Sequence, residues 1–350
     1  MDPLSQDSPI KKHAPGWTGL RPFRPAPWLP GPHLQTLGGR TLRPTPNPGL
    51  QRERLDTPDG DVLLLDMGPE PVQDRNGDSA RAPLALVLHG LEGSTDRNYA
   101  RLAMAQLHRR GLRPIGLNFR SCGGEPNRKA HSYHAGETGD LDFVLRHLTA
   151  RFPDRSLVAM GFSLGGNILL KYLGERGKAA DEILQAAVAV SVPFDLTAGT
   201  EALETGSLGW AYTRYFLRKL HAKARAKTRL LEGHIDVDSA LTTRTLREWD
   251  DLVTAPLHGF KDAADYYRHS SSLSYLPRIR VPTLLLQARD DPFLPDGLPH
   301  QEVEGNDWLV AGFTEKGGHV GFVEGTRPGA TSFWAEEEGA RFLAEAPTLP

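Results

Sequence analysis

Leu157-Val-Ala-Met-Gly161-Phe-Ser163-Leu-Gly165-Gly-Asn-Ile-Leu-Leu-Lys-Tyr-Leu173 is the stretch that decides how this chain folds. Its first four residues are apolar without alternation, as a strand buried on both faces should be. From Leu164 the residues read as a helix that closes near Gly174. Between the two lies Gly161-x-Ser163-x-Gly165. A sharp strand-to-helix turn leaves no room for side chains beside the serine, and glycines give the clearance and the backbone freedom it needs. The plainer reading of Ser163 is a helix N-cap. A buried strand leading straight in and a helix leading straight out favour a candidate nucleophile instead.

The same rhythm extends on both sides. Leu84–Leu88 is an apolar run ending in His89-Gly90, and Arg97–Arg110 has helical spacing and stops at Gly111. Pro114–Phe119 reads as a strand, Thr138–Arg151 as a helix and Ala186–Val192 as a further strand. Strands alternating with helices imply βαβ units, hence an α/β fold with a mostly parallel central sheet and helices on both faces. Arg52–Leu55 and Val62–Met67 flank the turn signal Pro58-Asp59-Gly60 and read as an antiparallel hairpin, and the polar residues 69–83 read as a loop. From Pro193 to about Arg280 the rhythm breaks into charged helical sequence with Trp210, Tyr212, Tyr215, Phe216 and Trp249. It resumes at Val281–Gln287 and Trp308–Phe313, and a last helix is expected over Thr331–Glu345. The chain therefore divides into a proline-rich arm over 1–45, a core over 46–192 and 281–350, and a helical cap insertion over 193–280. The arm carries Pro22, Pro25, Pro27, Pro30 and Pro32 and is expected to lie extended on the surface rather than as a helix. A cap inserted between core strands would cover the carboxyl edge of the sheet, where open α/β sheets bind ligands.

A serine hydroxyl needs a base to act as a nucleophile at neutral pH. In this layout the partners follow the serine in the order acid, then histidine. Gly317-Gly318-His319-Val320-Gly321 puts His319 in a glycine-rich loop just after the last expected core strand. His221, His234, His258, His269 and His300 lack that setting. The acid is Asp290 or Asp291, at the end of the strand VPTLLLQA. Asp291 is preferred because it begins a turn before Pro292 and Pro295. It would hold the imidazole in one tautomer. An oxyanion formed on the way needs backbone N–H donors. Leu164, after the serine, and Leu91, in the loop after LALVLHG, are the candidates, with Gly90 and Gly93 letting that backbone come close.

Three other features take plainer readings. Cys122, the one cysteine, packs in a loop rather than reacting. His131, His134 and Glu137 are spaced for a metal but lack convergent ligands. The basic run Arg218–Arg229 is a solvated helix face rather than a lipid contact. The 41 Lys+Arg against 43 Asp+Glu leave a net charge of −2, with no basic surplus for nucleic acid. With 39% hydrophobic residues a substantial core is expected. The N-terminus reads as neither signal peptide nor anchor, and no run is long enough to span a membrane. A lone thiol fits a reducing compartment, so a cytoplasmic location is expected.

Several blocks together resemble the YheT-like branch of the α/β-hydrolases, related to eukaryotic abhydrolase-domain esterases and phospholipases. They are WLPGPHLQTL (Trp28–Leu37), HGLEGSTDRNY (His89–Tyr99), NFRSCGGEPNRKAHSYHAGETGDL (Asn118–Leu141), GFSLGGNILLKYLGE, ARDDPF and GGHVGF. The likeness spans about residues 20–345, and the branch usually has glycine where this chain has Ser121. The resemblance implies an α/β-hydrolase fold and hydrolysis of a carboxylic ester without metal or organic cofactor. Residues and resemblance together predict a serine esterase acting on short- to medium-chain acyl esters through Ser163, His319 and Asp291, with a small-molecule ester or lipid as its partner and the oligomeric state open. A lipid-surface phospholipase or lipase, an acyltransferase, and a non-catalytic hydrolase-like binding protein are the alternatives.

Overall fold

The computed structural model describes residues 17–71, 81–205, 208–294 and 297–345. The sheet begins with the hairpin of β1 (Gln51–Asp56) and β2 (Val62–Met67), paired antiparallel with Asp56 opposite Val62. There follow β3 (Leu84–Leu88), β4 (Arg113–Asn118), β5 (Leu157–Phe162), β6 (Ala186–Val190), β7 (Thr283–Ala288) and β8 (Leu309–Thr314). These eight strands make one sheet in the order β1-β2-β4-β3-β5-β6-β7-β8. β2 meets β4 antiparallel and every pairing from β4 to β8 is parallel. Of the loop expected over 69–83, residues 72–80 lie outside the described residues.

The apolar runs without alternation are explained by two cores. Leu84, Leu86 and Leu88 of β3 point into one cluster, and Ala85 and Val87 point into another on the opposite face. The first cluster takes residues from helices α3 (Gly139–Arg151) and α4 (Leu164–Arg176). The second takes residues from α2 (Asn98–Arg109) and α13 (Trp334–Glu345). The inner strands β3, β5, β6 and β7 thus bury both faces, which is what period-free apolar sequence is for.

Between β6 and β7 lie helices α5 (Leu196–Thr205), α6 (Gly209–Ala226), α7 (Thr228–Leu231), α8 (Val237–Ala240), α9 (Leu246–Trp249), α10 (Ala255–His258) and α11 (Ala263–Ser270). Leu203, Leu217, Leu231, Trp249 and Val253 form a separate apolar cluster there, which Phe293 of the core joins. After β7 come α12 (His300–Glu304), β8, and a two-stranded ribbon of β9 (Val323–Glu324) and β10 (Ser332–Phe333), so the final helix starts at Trp334 rather than Thr331.

The N-terminal arm differs from expectation. Pro32–Leu42 is an α-helix, α1, with Pro32 in its first turn. Proline there has its φ preset and gives up an N–H that no helix bonds, and no proline follows until Pro44. Nor does the arm only lie on the surface. Trp17 is 2% exposed and meets Phe342 edge-on at 5.2 Å, and Gln35 and Arg43 are buried. Residues 1–16 lie outside the described residues.

Candidate active site

The loops that leave the carboxyl ends of β3, β5, β7 and the segment after β8 converge on one point. Ser163 is the residue between β5 and α4, with φ 52° and ψ −121°. A non-glycine residue in that region carries of order 1–3 kcal/mol of strain and has to be held. Its amide donates to Val190 O at 2.8 Å and its carbonyl accepts from Asn167 N at 3.0 Å. The flanking glycines are required by close approach. A Cβ at Gly161 would stand 2.5 Å from Gly165 O, and one at Gly165 would stand 2.5 Å from His89 O.

His319 Nε2 lies 3.0 Å from Ser163 Oγ. Its Nδ1 lies 2.9 Å from Asp291 Oδ2 and 3.1 Å from Oδ1. These partners assign the Nδ1–H tautomer, with Nε2 free to accept the serine proton. Asp291 is 2% exposed. Its oxygens also accept from Gln287 Nε2 at 3.0 Å and from Phe293 N at 2.9 Å. Gln287 is itself fixed, because its Oε1 accepts from Val192 N at 2.7 Å. Asp290 does something else: Oδ1 accepts from Gly318 N at 2.9 Å, bracing the histidine loop, and burial raises its pKa, with Asp291 nearby adding to the shift. Pro295, which the sequence reading used to define the turn, lies outside the described residues.

An α/β-hydrolase fold family model matches residues 83–325. The chain belongs to the α/β-hydrolase family. It is 39% identical to the Escherichia coli K12 protein named "Putative esterase YheT", over 84% of this chain and 85% of that protein. It is 30% identical to the mouse phospholipase ABHD3, over 91% of this chain and 77% of that protein. Among solved structures, the Pyrococcus furiosus esterase Pf2001 superposes with a TM-score of 0.50 at 17% identity, covering 77% of this chain and 84% of that one; this is a likeness of fold alone.

As in other open α/β sheets, the point of convergence is at the strand carboxyl ends. The loop after β3 brings Gly90 against the serine: a Cβ on it would sit 3.1 Å from Ser163 Cβ. Buried His89 shapes this turn by donating from Nδ1 to Gly90 O at 2.8 Å while Nε2 accepts from Phe119 N at 3.2 Å. Burial pushes its pKa down to about 3, so it is neutral. The amides of Gly90, Glu92 and Gly93 bond to Tyr99 OH, Tyr133 OH and Gly90 O respectively. Leu91 and Leu164 both face a cavity of about 170 Å³ that also touches Ser163 and His319. That cavity runs under α5, α6 and α9, along Leu203, Phe216, Leu220, Trp249 and Val253. A second cavity of about 370 Å³ meets it at Ser163 and opens along Leu37, Arg40, Tyr212 and Tyr215.

Sequence reading missed the contribution of α1. Thr36 Oγ1 accepts from His319 N at 2.9 Å. Arg43 donates to Gly39 O at 2.6 Å, Val320 O at 2.8 Å and Gly321 O at 3.0 Å, and pairs with buried Glu336 at 2.8 Å. These contacts hold a loop in which Val320 and Phe322 both have positive φ. The available signal was the block WLPGPHLQTL itself, which carries Thr36.

The other candidates resolve as follows. Cys122 is 4% exposed and burial raises its pKa to about 11, as packing requires. His134 and Glu137 approach His258, while His131 sits with Asp59 and Asp61 instead. His134 Nδ1 accepts from Gly136 N at 3.1 Å, which puts the ring proton on Nε2, the nitrogen facing Glu137 at 3.5 Å. That nitrogen therefore has no lone pair for a metal. The basic run is only half solvated. Arg218, Arg225 and Arg229 are exposed, but Lys219, Lys223 and Lys227 recur every four residues and turn inward. Among the described residues no helix is long and apolar enough to cross a membrane.

Proposed function

We propose that the protein is a serine hydrolase that cleaves carboxylic esters through an acyl-enzyme. The observation that carries this reading is the unbroken chain of contacts from Ser163 Oγ to His319 Nε2 and from His319 Nδ1 to the Asp291 carboxylate, placed where two cavities meet. His319 takes the proton of Ser163 as the oxygen attacks the ester carbonyl. The amides of Leu91 and Leu164 receive the oxyanion. His319 then protonates the departing alcohol, water enters, and the same steps in reverse release the acid. Asp291 keeps the imidazole in its tautomer and stabilises the imidazolium as it forms.

The two cavities divide the substrate. The inner, apolar cavity takes the acyl chain and its volume favours short to medium lengths; the outer one takes the alcohol. The helices over 193–280 act as the cap. A lipid ester presented at a surface is a second reading, favoured by Leu37, which is 45% exposed and lines the outer cavity, and by the phospholipase relative. Incubation with a fluorophosphonate probe, followed by peptide mapping, tests the central claim. Labelling of Ser163 that disappears in His319→Ala is expected. Ser163→Ala hydrolysing p-nitrophenyl butyrate at the parent's rate would refute it, and co-sedimentation with phosphatidylcholine liposomes separates the two substrate readings.

A further inference from the structure

We infer that Lys223 is a positioning residue for the loop that carries the Leu91 amide, so that helix α6 completes the oxyanion site as well as covering it. The inference rests on the ester-hydrolase reading above. Gly90 to Glu92 form a four-residue turn with Gly93, closed by Gly93 N donating to Gly90 O at 3.0 Å. Glu92 is the third residue of that turn and has φ 53°. That position needs the left-handed region and is where glycine usually stands. A glutamate there must be held from outside.

What holds it is visible at its amide, its carbonyl and one carboxylate oxygen. The Glu92 amide donates to Tyr133 OH at 2.8 Å, and Oε1 accepts from the same hydroxyl at 3.0 Å. Oε1 also accepts from Lys223 Nζ at 2.7 Å, and the Glu92 carbonyl accepts from Lys219 Nζ at 2.8 Å and from Arg97 Nη2 at 3.2 Å. The Glu92 side chain is 3% exposed, so water does not compete for it. On the other side, His89 Nδ1 donates to Gly90 O at 2.8 Å. Gly90 C=O and Leu91 N–H belong to one planar trans peptide, so fixing the carbonyl aims the N–H the opposite way. The Glu92 conformation closes the turn, the turn and His89 fix that peptide, and α6 supplies two of the cations that hold Glu92. Spacing of four residues puts Lys219 and Lys223 on one face of the helix.

The test compares steady-state and burst kinetics of Lys223→Met, Lys223→Arg and Lys223→Met/Glu92→Gly with the parent on p-nitrophenyl butyrate. Lys223→Met is expected to lower kcat by about 10²-fold, the scale of one lost oxyanion donor, with KM within about twofold. The burst and the steady state should slow together, because both tetrahedral intermediates use the same amide. Lys223→Arg should restore most of the rate. The double variant should also recover, because glycine takes the left-handed position without a clamp. Arg218→Met, an exposed change on the same helix, controls for helix stability and should match the parent. A kcat of Lys223→Met within about threefold of the parent, or a double variant no faster than the single one, overturns the inference. Should Lys223→Met fail to fold, Tyr133→Phe removes both hydroxyl bonds to Glu92 and is read by the same criteria. Failure of the underlying reading shows separately, as absence of fluorophosphonate labelling on Ser163 in the parent.

Discussion

Asp291→Asn is the exchange that most sharply tests how the site holds its histidine. Three N–H donors converge on the two Asp291 oxygens: Gln287 Nε2 at 3.0 Å, Phe293 N at 2.9 Å and His319 Nδ1 at 2.9 Å. A carboxylate accepts from all three, whereas an amide offers one oxygen and one NH₂. The amide cannot be rescued by its neighbours. Phe293 N is backbone, and Gln287 cannot flip without turning a donor toward Val192 N, to which its Oε1 now bonds. Whichever way the asparagine turns, one donor faces another donor. Leaving a buried donor unmet costs about 1–3 kcal/mol, so the unfolding free energy should fall by that much, read as a lower urea midpoint at unchanged slope. The catalytic loss is larger. Either the imidazole takes the wrong tautomer or the imidazolium forms beside a neutral group, and such an exchange costs about 10⁴-fold in kcat, or about 5 kcal/mol. Steady-state hydrolysis of p-nitrophenyl butyrate reads kcat and KM, with circular dichroism as the check on folding. A folded Asp291→Asn protein that keeps kcat within about tenfold of the parent would refute the reasoning and shift attention to Asp290.

Two further outcomes are expected. Thr36→Val leaves the His319 amide without its acceptor at 2.9 Å; kcat should fall about tenfold, the rate equivalent of a 1.4 kcal/mol lost bond, with KM on p-nitrophenyl butyrate and the circular dichroism spectrum unchanged. Asp250 lies on the cavity wall, and burial pushes its pKa up to about 7 although Thr254 and Tyr267 bond to it. Its unfolded value is near 4, so the folded state holds the proton more tightly and stability falls as pH rises from about 4 to about 7, by of order 1.4 kcal/mol per unit. Urea unfolding at pH 5 and pH 8 should show the parent weaker at pH 8 and Asp250→Asn losing much less.

What could be read from the sequence was what short-range physics imposes. The strand–turn–helix around Ser163 was legible because two glycines stand where side chains would meet backbone at 2.5 Å. His319 was legible because its loop needs left-handed backbone at Gly318. The choice of Asp291 over Asp290 rested on the turn that begins there, and the geometry now gives each carboxylate a distinct neighbour, His319 for one and Gly318 N for the other. What stayed hidden depends on contacts far apart in the chain. Thr36 and His319 are 283 residues apart and Arg43 and Val320 are 277 apart. No local pattern announces such a pair. Proline density misled for a related reason: it reports on Pro22 to Pro32 and says nothing of the ten residues that follow, where Pro32 in the first turn starts a helix.

The inward lysines make the same point with a difference. Lys219, Lys223 and Lys227 keep the four-residue spacing that marks one helix face, so the periodicity was present; it was read as solvation because lysine is seldom buried without a partner. The partners were in the sequence too, but at a distance. Lys223 ends on Glu92, 131 residues away, and Lys227 on Asn127, 100 residues away. Glu92 in turn occupies a turn position where a glycine would have needed no help. A charged residue in a glycine's place and a cation at helical spacing are each weak signals alone. Together they identify a part-buried pair, and such pairs require good geometry because desolvation opposes them. That requirement is why the pairing fixes the turn beside Ser163, and why the helices between β6 and β7 belong to the chemistry of the site as well as to its walls.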